Sequence, residues 1–362
     1  MKIAQVSPLY ESVPPQKYGG TERVVANLSN KLVEMGHEVT LYASGDSDTQ
    51  ADLVPICDKA LRLDPDCEDS LAHHIIQLQR VIEDANNYDI IHFHTDYLHY
   101  PFSNNLAVPH LTTLHGRLNM KELQAIYNTF DEQPVVSISD HQRLPLPQAN
   151  WVGTVYHGMP QDQYIFNPDK GQYLAFLGRI SPEKRVDRAI KIAIANNKRI
   201  KIAAKIDKVD RAYYEREIEP LMQNPLVEFI GEINDEEKCG FLGNAEALLF
   251  PIDWPEPFGL VMIEAMACGT PVIAFKNGSV PEVLEHGLTG FIVDNMEEAI
   301  MAVGRLDILS RDLIRNEFER RFASEIMVQN YVKIYEMLIE EAGLQGLKNE
   351  SNPAYNPMLW SR

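Results

Sequence analysis

Two successive runs of short β-branched segments alternating with amphipathic helices predict an α/β protein built on two parallel sheets with a cleft between them. Three observations support this. The alternation breaks once, at the turn-rich stretch from His157-Gly-Met-Pro to Pro168-Asp-Lys-Gly171, a natural linker. It then restarts at Tyr173-Leu-Ala-Phe-Leu177. The 362 residues suffice for two domains that each bury a core. Ligands of such sheets sit at the carboxyl ends of the strands.

In the first run, strands are expected at Lys2–Ser7, Glu38–Ala43, Ile90–His94, Leu111–His115, Val135–Ser139 and Val152–Tyr156. A helix from about Glu22 to Glu34 carries Val24, Val25, Leu28 and Leu32 on one face and ends at Gly36. A second helix is expected from about Glu68 to Asn86. In the second run, strands follow at Ile200–Ala204, Val227–Ile230, Ala247–Phe250, Val272–Ala274 and Gly290–Val293, with helices between them. A last amphipathic helix, about Ser324 to Ala342, presents Ile326, Tyr331, Ile334, Met337 and Leu338. The resulting limits are 1–165, 166–322, a helix over 323–344 and a loose tail over 345–362.

Hydrophobic residues make up 45% of the chain and charged residues 23%, proportions of a soluble globular protein. Cys57, Cys67, Cys239 and Cys268 show no regular spacing and read as reduced cytosolic thiols. Met1-Lys2-Ile3-Ala4-Gln5-Val6 is already a strand, so no signal peptide is expected, and no segment has the apolar length of a membrane span. The expected location is the cytoplasm. A net charge of −19 argues against a nucleic-acid partner and gives no help toward an anionic membrane. Positive charge nonetheless gathers at Lys184-Arg185, Arg188, Lys198-Arg199, Lys201, Lys205 and Lys208, which suits one small anion.

The most informative stretch is Glu256-Pro-Phe-Gly-Leu-Val-Met-Ile-Glu264, followed by Ala-Met-Ala-Cys-Gly269-Thr270-Pro271-Val272. Two carboxylates frame a loop that turns into a helix at Phe258-Gly259. Backbone N–H groups of Gly259 and Leu260 at a helix N-terminus can seat a phosphate, and carboxylates accept paired hydrogen bonds from a diol. Either glutamate alone would be an ordinary cap or solvated acid; the whole string, punctuated by Gly and Pro, would not. A second string, Gly178-Arg179-Ile180-Ser181-Pro182-Glu183-Lys184, offers a Gly turn, a guanidinium fork and a point charge for phosphate oxygens. The plain alternative there is a surface ion pair of Arg179 with Glu183.

The first of these strings resembles the E-x7-E motif of the retaining glycosyltransferases of family four, and the second resembles that family's G-R-x4-K diphosphate clamp. The resemblance runs from the first strand to the helix near position 340. It implies the GT-B architecture of two facing Rossmann-like domains, with the last helix crossing back to the first domain. It implies a hexose moved from a UDP- or GDP-sugar to an acceptor hydroxyl with retention of configuration, and no metal or other cofactor. Arg179 and Lys184 would hold the diphosphate together with Gly259, Leu260 and the neighbouring Phe258. Glu264 would hold the ribose diol and Glu256 the sugar hydroxyls. Gly19-Gly20 looks like the loop that closes over the donor phosphate, with Thr21 a candidate N-cap. His115 coincides with the position whose imidazole faces the donor sugar. Lys205, in Lys205-Ile-Asp207, either reaches a phosphate or points into water. Arg185 stands where the family usually has Gly, which bears on local geometry.

His92 and His94 alternate onto one strand face, but a metal is not expected. Asp46-Ser-Asp48 and Asp64-Pro-Asp66 lie in loops away from the motifs, where a metal-dependent transferase would not place them. Gly278-Ser279, Glu282 and Gly287-x-Thr289-Gly290 repeat the family's closing sequence and read as structural. The acceptor would be met by first-domain loops. The rival readings are a phosphorylase or epimerase on the same fold, and a non-catalytic nucleotide-sugar-binding protein.

Overall fold

The computed structural model describes residues 1–16 and 19–350, with side chains to 344. The first sheet contains β1 (Lys2–Val6), β2 (Glu38–Ala43), β3 (Asp52–Pro55), β4 (Ile90–Phe93), β5 (His110–Thr113), β6 (Val135–Ser137) and β7 (Trp151–Thr154). The second contains β8 (Tyr173–Arg179), β9 (Ile200–Lys205), β10 (Val227–Gly231), β11 (Ala245–Phe250), β12 (Val272–Phe275) and β13 (Gly290–Val293). Their orders are β3-β2-β1-β4-β5-β6-β7 and β10-β9-β8-β11-β12-β13, and all pairings are parallel. In each sheet the order reverses beside the first strand, at β1/β4 and at β8/β11, and such a reversal opens a crevice at the strands' carboxyl ends.

The helix Gly20–Glu34 buries Val24, Val25, Leu28 and Leu32 against the first sheet, the face its periodicity predicts. Its N-cap is Gly19, without a side-chain cap, so Thr21 lies inside the helix and does not cap it. The second helix spans Ser70–Asp84, and the Asp69 carboxylate caps the N–H groups of Leu71 and Ala72. Strand β3 went unread because Asp52-Leu-Val-Pro55 is short and follows a turn-rich loop. As an edge strand it pairs on one side only.

The chain crosses back at Ala323. Met159 N–H donates to Phe322 O (3.0 Å) and Ser324 N–H donates to Met159 O (2.9 Å), pinning the crossover beside the linker. From there Ser324–Glu350 is one helix, longer than expected; the rest of the expected tail, 351–362, lies outside the described residues. Its buried face is Met327, Val328, Tyr331, Tyr335 and Leu338, in one core with β1, β2 and the Gly20–Glu34 helix. Met337, assigned to that face from periodicity, is 36% exposed. Lys31 pairs with Glu325 (2.7 Å) at the helix edge. No helix among the described residues is long and apolar enough to cross a membrane.

Tyr335 is fully buried, accepts from Gln5 Nε2 (3.1 Å) and meets His92 Nδ1 (2.7 Å). Tyr335→Phe keeps the ring but strands both partners. The expected loss is about 1–3 kcal/mol, read by urea unfolding followed in the first sheet.

Candidate active site

One cavity of about 1010 Å³ lies between the sheets where their strand orders reverse. Gly19, Gly20, His115, Arg179, Lys184, Lys205, Glu256, Phe258, Gly259, Leu260 and Glu264 all line it. Arg179 and Lys205 end β8 and β9, while His115 lies two residues beyond the end of β5. Gly259 takes a left-handed conformation (φ 83°) and starts the helix Leu260–Ala267, putting Glu264 on its second turn. A Cβ built on Gly20 would lie 3.7 Å from Leu260 Cδ1, so the glycine loop of one sheet faces the helix N-terminus of the other. Phe258 is buried and packs edge-on to His157 (4.9 Å between centroids), so its side chain is part of the wall.

The carboxylates are engaged. Glu256 pairs with Lys184 and accepts from Trp254 Nε1 (3.0 Å). The Lys184 ammonium also lies over the rings of Trp254 (5.1 Å) and Phe250 (5.7 Å). The two groups assigned separately to sugar and diphosphate therefore hold each other. Glu264 accepts from Tyr164 Oη (3.0 Å) and Lys238 Nζ (3.0 Å). Its burial alone would raise its pKa, but the charges of Lys238 and Arg23 outweigh that and hold it below the ordinary carboxylate value. Lys238 also pairs with Asp235 (3.0 Å), and Asp235 pairs with Arg23 of the Gly20–Glu34 helix, so this ionic series spans the cleft.

Arg179 pairs with Glu183 (2.5 Å), the plain alternative weighed from sequence, and approaches Asp207 (3.6 Å) and Asp210 (3.7 Å). It lines the cavity as well, so the ion pair does not remove it from the cleft. Lys205 pairs with Asp207 (3.1 Å). Arg185 has φ 53° and ψ 48°, a left-handed conformation that accounts for the usual glycine there. Its guanidinium is held by Asp187 (2.8 and 3.0 Å) and Asp253 (2.9 Å).

Gly278 (φ 56°) leaves room for the Glu256 backbone, since a Cβ there would lie 2.3 Å from Glu256 O. Ser279 Oγ donates to Phe258 O (2.7 Å). Glu282 accepts from the N–H groups of Asp140 (2.6 Å) and His141 (2.8 Å), and Ser139 Oγ donates to Pro257 O (2.6 Å), tying the two sheets' loops together. His92 and His94 do share a strand face, with rings 4.0 Å apart, but all their ring nitrogens have protein partners.

Sequence reasoning missed Glu22, Arg23, His157, Lys238 and Trp254, which all line the cavity; Glu22 and Arg23 it had read only as the start of a helix and His157 only as linker. His157 had a signal: Tyr156-His157-Gly158 repeats the pattern Leu114-His115-Gly116 at the end of another strand, and the two imidazoles stack at 5.3 Å. The other residues belong to pairings across the cleft that no local pattern announces.

Residues 161–324 match the family described as glycosyl transferases group 1, and residues 18–150 match glycosyltransferase family 4. The chain belongs to the family 4 glycosyltransferases, with the GT-B arrangement of two Rossmann-like units. It is 24% identical to an uncharacterized glycosyltransferase of Methanocaldococcus jannaschii over 93% of this chain and 99% of that protein. Its fold is that of AviGT4, a glycosyltransferase involved in avilamycin A biosynthesis (TM-score 0.73, 24% identity, covering 94% of this chain and 98% of the other). It is also that of Anabaena HepE, solved with UDP and glucose (TM-score 0.73, 18% identity, 93% and 100%).

Glu22 lies at the first turn beside Gly19-Gly20, 6% exposed, and burial raises its carboxyl pKa to about 7, with Glu11 adding to and Arg62 opposing the shift. The folded state thus holds a proton that the unfolded state releases near the ordinary value of 4.5, so stability falls as pH rises from there through 7. Glu22→Gln should stabilise the protein by up to about 3 kcal/mol at pH 8 and hardly at pH 4, as measured by unfolding at the two pH values.

Proposed function

We propose that the protein transfers a hexose from a UDP- or GDP-sugar to an acceptor hydroxyl with retention at the anomeric carbon, without a metal or organic cofactor. The observation that carries this reading is the convergence of Arg179, Lys184 and the Gly259–Leu260 helix start on a cavity faced from the other side by Gly19-Gly20. Cations and backbone N–H groups together suit a diphosphate, and the two carboxylates beside them suit the hydroxyls of ribose and sugar. The UDP and glucose in Anabaena HepE, which shares the fold, support a nucleotide-sugar donor. The cytoplasm is the compartment proposed for an enzyme of this kind, with thiols that form no disulfide among the described residues.

In this reading Glu264 takes the ribose diol and Arg179 and Lys184 take the diphosphate, where they stabilise charge as it develops on the leaving group. The acceptor hydroxyl is deprotonated late, by the leaving phosphate. Donor binding is an exchange of partners: the diphosphate takes Lys184 from Glu256, and the sugar hydroxyls take Glu256 from Lys184 and Trp254. The direct test is a panel of nucleotide sugars assayed for release of free nucleotide diphosphate. Release from at least one donor is expected; neither binding nor release with any of them would end this reading.

Two further outcomes follow from the exchange. Lys184→Ala should weaken nucleotide diphosphate binding by about ten- to hundredfold, the worth of a charge-assisted contact of roughly 1.5–3 kcal/mol. Glu256→Gln removes the competitor for Lys184 and should tighten the same binding by about fivefold, the worth of an ion pair of about 1 kcal/mol, while turnover falls. Calorimetry on both variants checks the opposed signs. With the two cations serving as counter-charge, turnover should also survive EDTA; loss on chelation with recovery on adding manganese would contradict the metal-free assignment.

A further inference from the structure

Behind His115 lies a buried polar series that the reading above does not use. It joins Gln5 on β1, His92 on β4 and His94 just past its end, Thr113 on β5, and Tyr331 and Tyr335 of the last helix. Burial pushes His92 and His94 well below the ordinary histidine pKa and His115 down to about 3, so each ring is neutral, with one N–H and one lone pair. In such a series each hydrogen bond dictates the next.

Gln5 Nε2 donates to the Tyr335 hydroxyl (3.1 Å), which leaves Gln5 Oε1 to accept from His94 Nε2 (2.8 Å). With its proton on Nε2, His94 offers a lone pair at Nδ1. The neighbouring His115 Nε2, 2.8 Å away, must then donate. The other branch agrees: Tyr335, already accepting from Gln5, donates to His92 Nδ1 (2.7 Å). His92 Nε2–H then donates to Thr113 Oγ1 (2.7 Å), which meets Tyr331 Oη at 3.0 Å. One amide sets the direction of both branches. What remains is His115 Nδ1, a buried lone pair with no partner among the described residues, on a ring that lines the cleft. A buried acceptor without a partner is costly unless a ligand satisfies it.

We propose that Gln5 and His94 are positioning residues that lock His115 in the Nε2–H tautomer, so that its bare Nδ1 accepts a hydrogen bond from a hydroxyl of the bound sugar. The second half of this statement rests on the cleft being the nucleotide-sugar site. A His115 proton on Nδ1 would instead present a donor, and the same hydroxyl would have to turn around to meet it.

The tautomer is read directly, without substrate, from long-range proton–nitrogen correlations of the histidine-15N-labelled protein, with His115 identified by its loss in His115→Gln. The expected result is a protonated Nε2 and an unprotonated Nδ1. Gln5→Met, of similar size but without the amide, should give a mixture of tautomers and lower kcat about five- to tenfold, the cost of one unmade hydrogen bond. Nucleotide diphosphate affinity should stay within about twofold, since no phosphate contact is touched. A wild-type His115 protonated at Nδ1, or charged, overturns the proposal alone, and this holds even if the variant fails to fold. Gln5→Met retaining both tautomer and kcat also overturns it. Wild-type protein that binds no nucleotide diphosphate would remove the acceptor role together with the reading of the cleft.

Discussion

A buried carboxylate needs a counter-charge, and in this protein that need joins the two sheets. Glu264 is 4% exposed and takes Lys238, whose other partner, Asp235, takes Arg23 from the opposite side of the cleft. The pairing draws the start of the Gly20–Glu34 helix up to the start of the Leu260–Ala267 helix, bringing Gly20 and Leu260 together. Further ties are the hydrogen bonds of Ser139 to Pro257, of Glu282 to the N–H groups of Asp140 and His141, and of Tyr156 Oη to the Glu282 carboxylate (3.2 Å). Apolar packing joins the seam as well: Ile138 lies in one core with Phe258 and Met262, and Leu260 packs against the core of the first sheet.

The same economy of charge governs the cleft floor. Arg179, Lys184 and Lys205 each face a carboxylate, although the chain as a whole carries a charge of −19. An anionic ligand therefore competes with built-in anions, and its affinity is a difference between two sets of pairs. Arg185 shows the related constraint on backbone. The turn after Lys184 requires a left-handed residue, and a side chain is tolerated there because Asp187 and Asp253 hold its guanidinium.

The crossover helix does more than close the first core. Its Tyr331 and Tyr335 complete the polar series that ends at His115, so residues near the end of the chain set the environment of a group on the first sheet. That link exists because Met159 and Ala323 fix where the chain crosses.

Sequence by itself determined the two runs of parallel strands apart from β3, the buried face of the Gly20–Glu34 helix and part of the cleft lining. Each follows from spacing: periodicity fixes which face is apolar, and a Gly or Pro fixes where a strand turns into a helix. Only the tertiary structure decided who pairs with whom. Arg23 and Asp235 are 212 residues apart, and Gln5 and Tyr335 are 330 apart. The N-cap fell to Gly19 in place of Thr21, and Met327, Val328 and Tyr335 took the buried face from which Met337 was turned out. Local patterning constrains backbone and burial within a few turns, whereas charge pairing, tautomer and helix rotation depend on which groups packing brings within about 3 Å of one another.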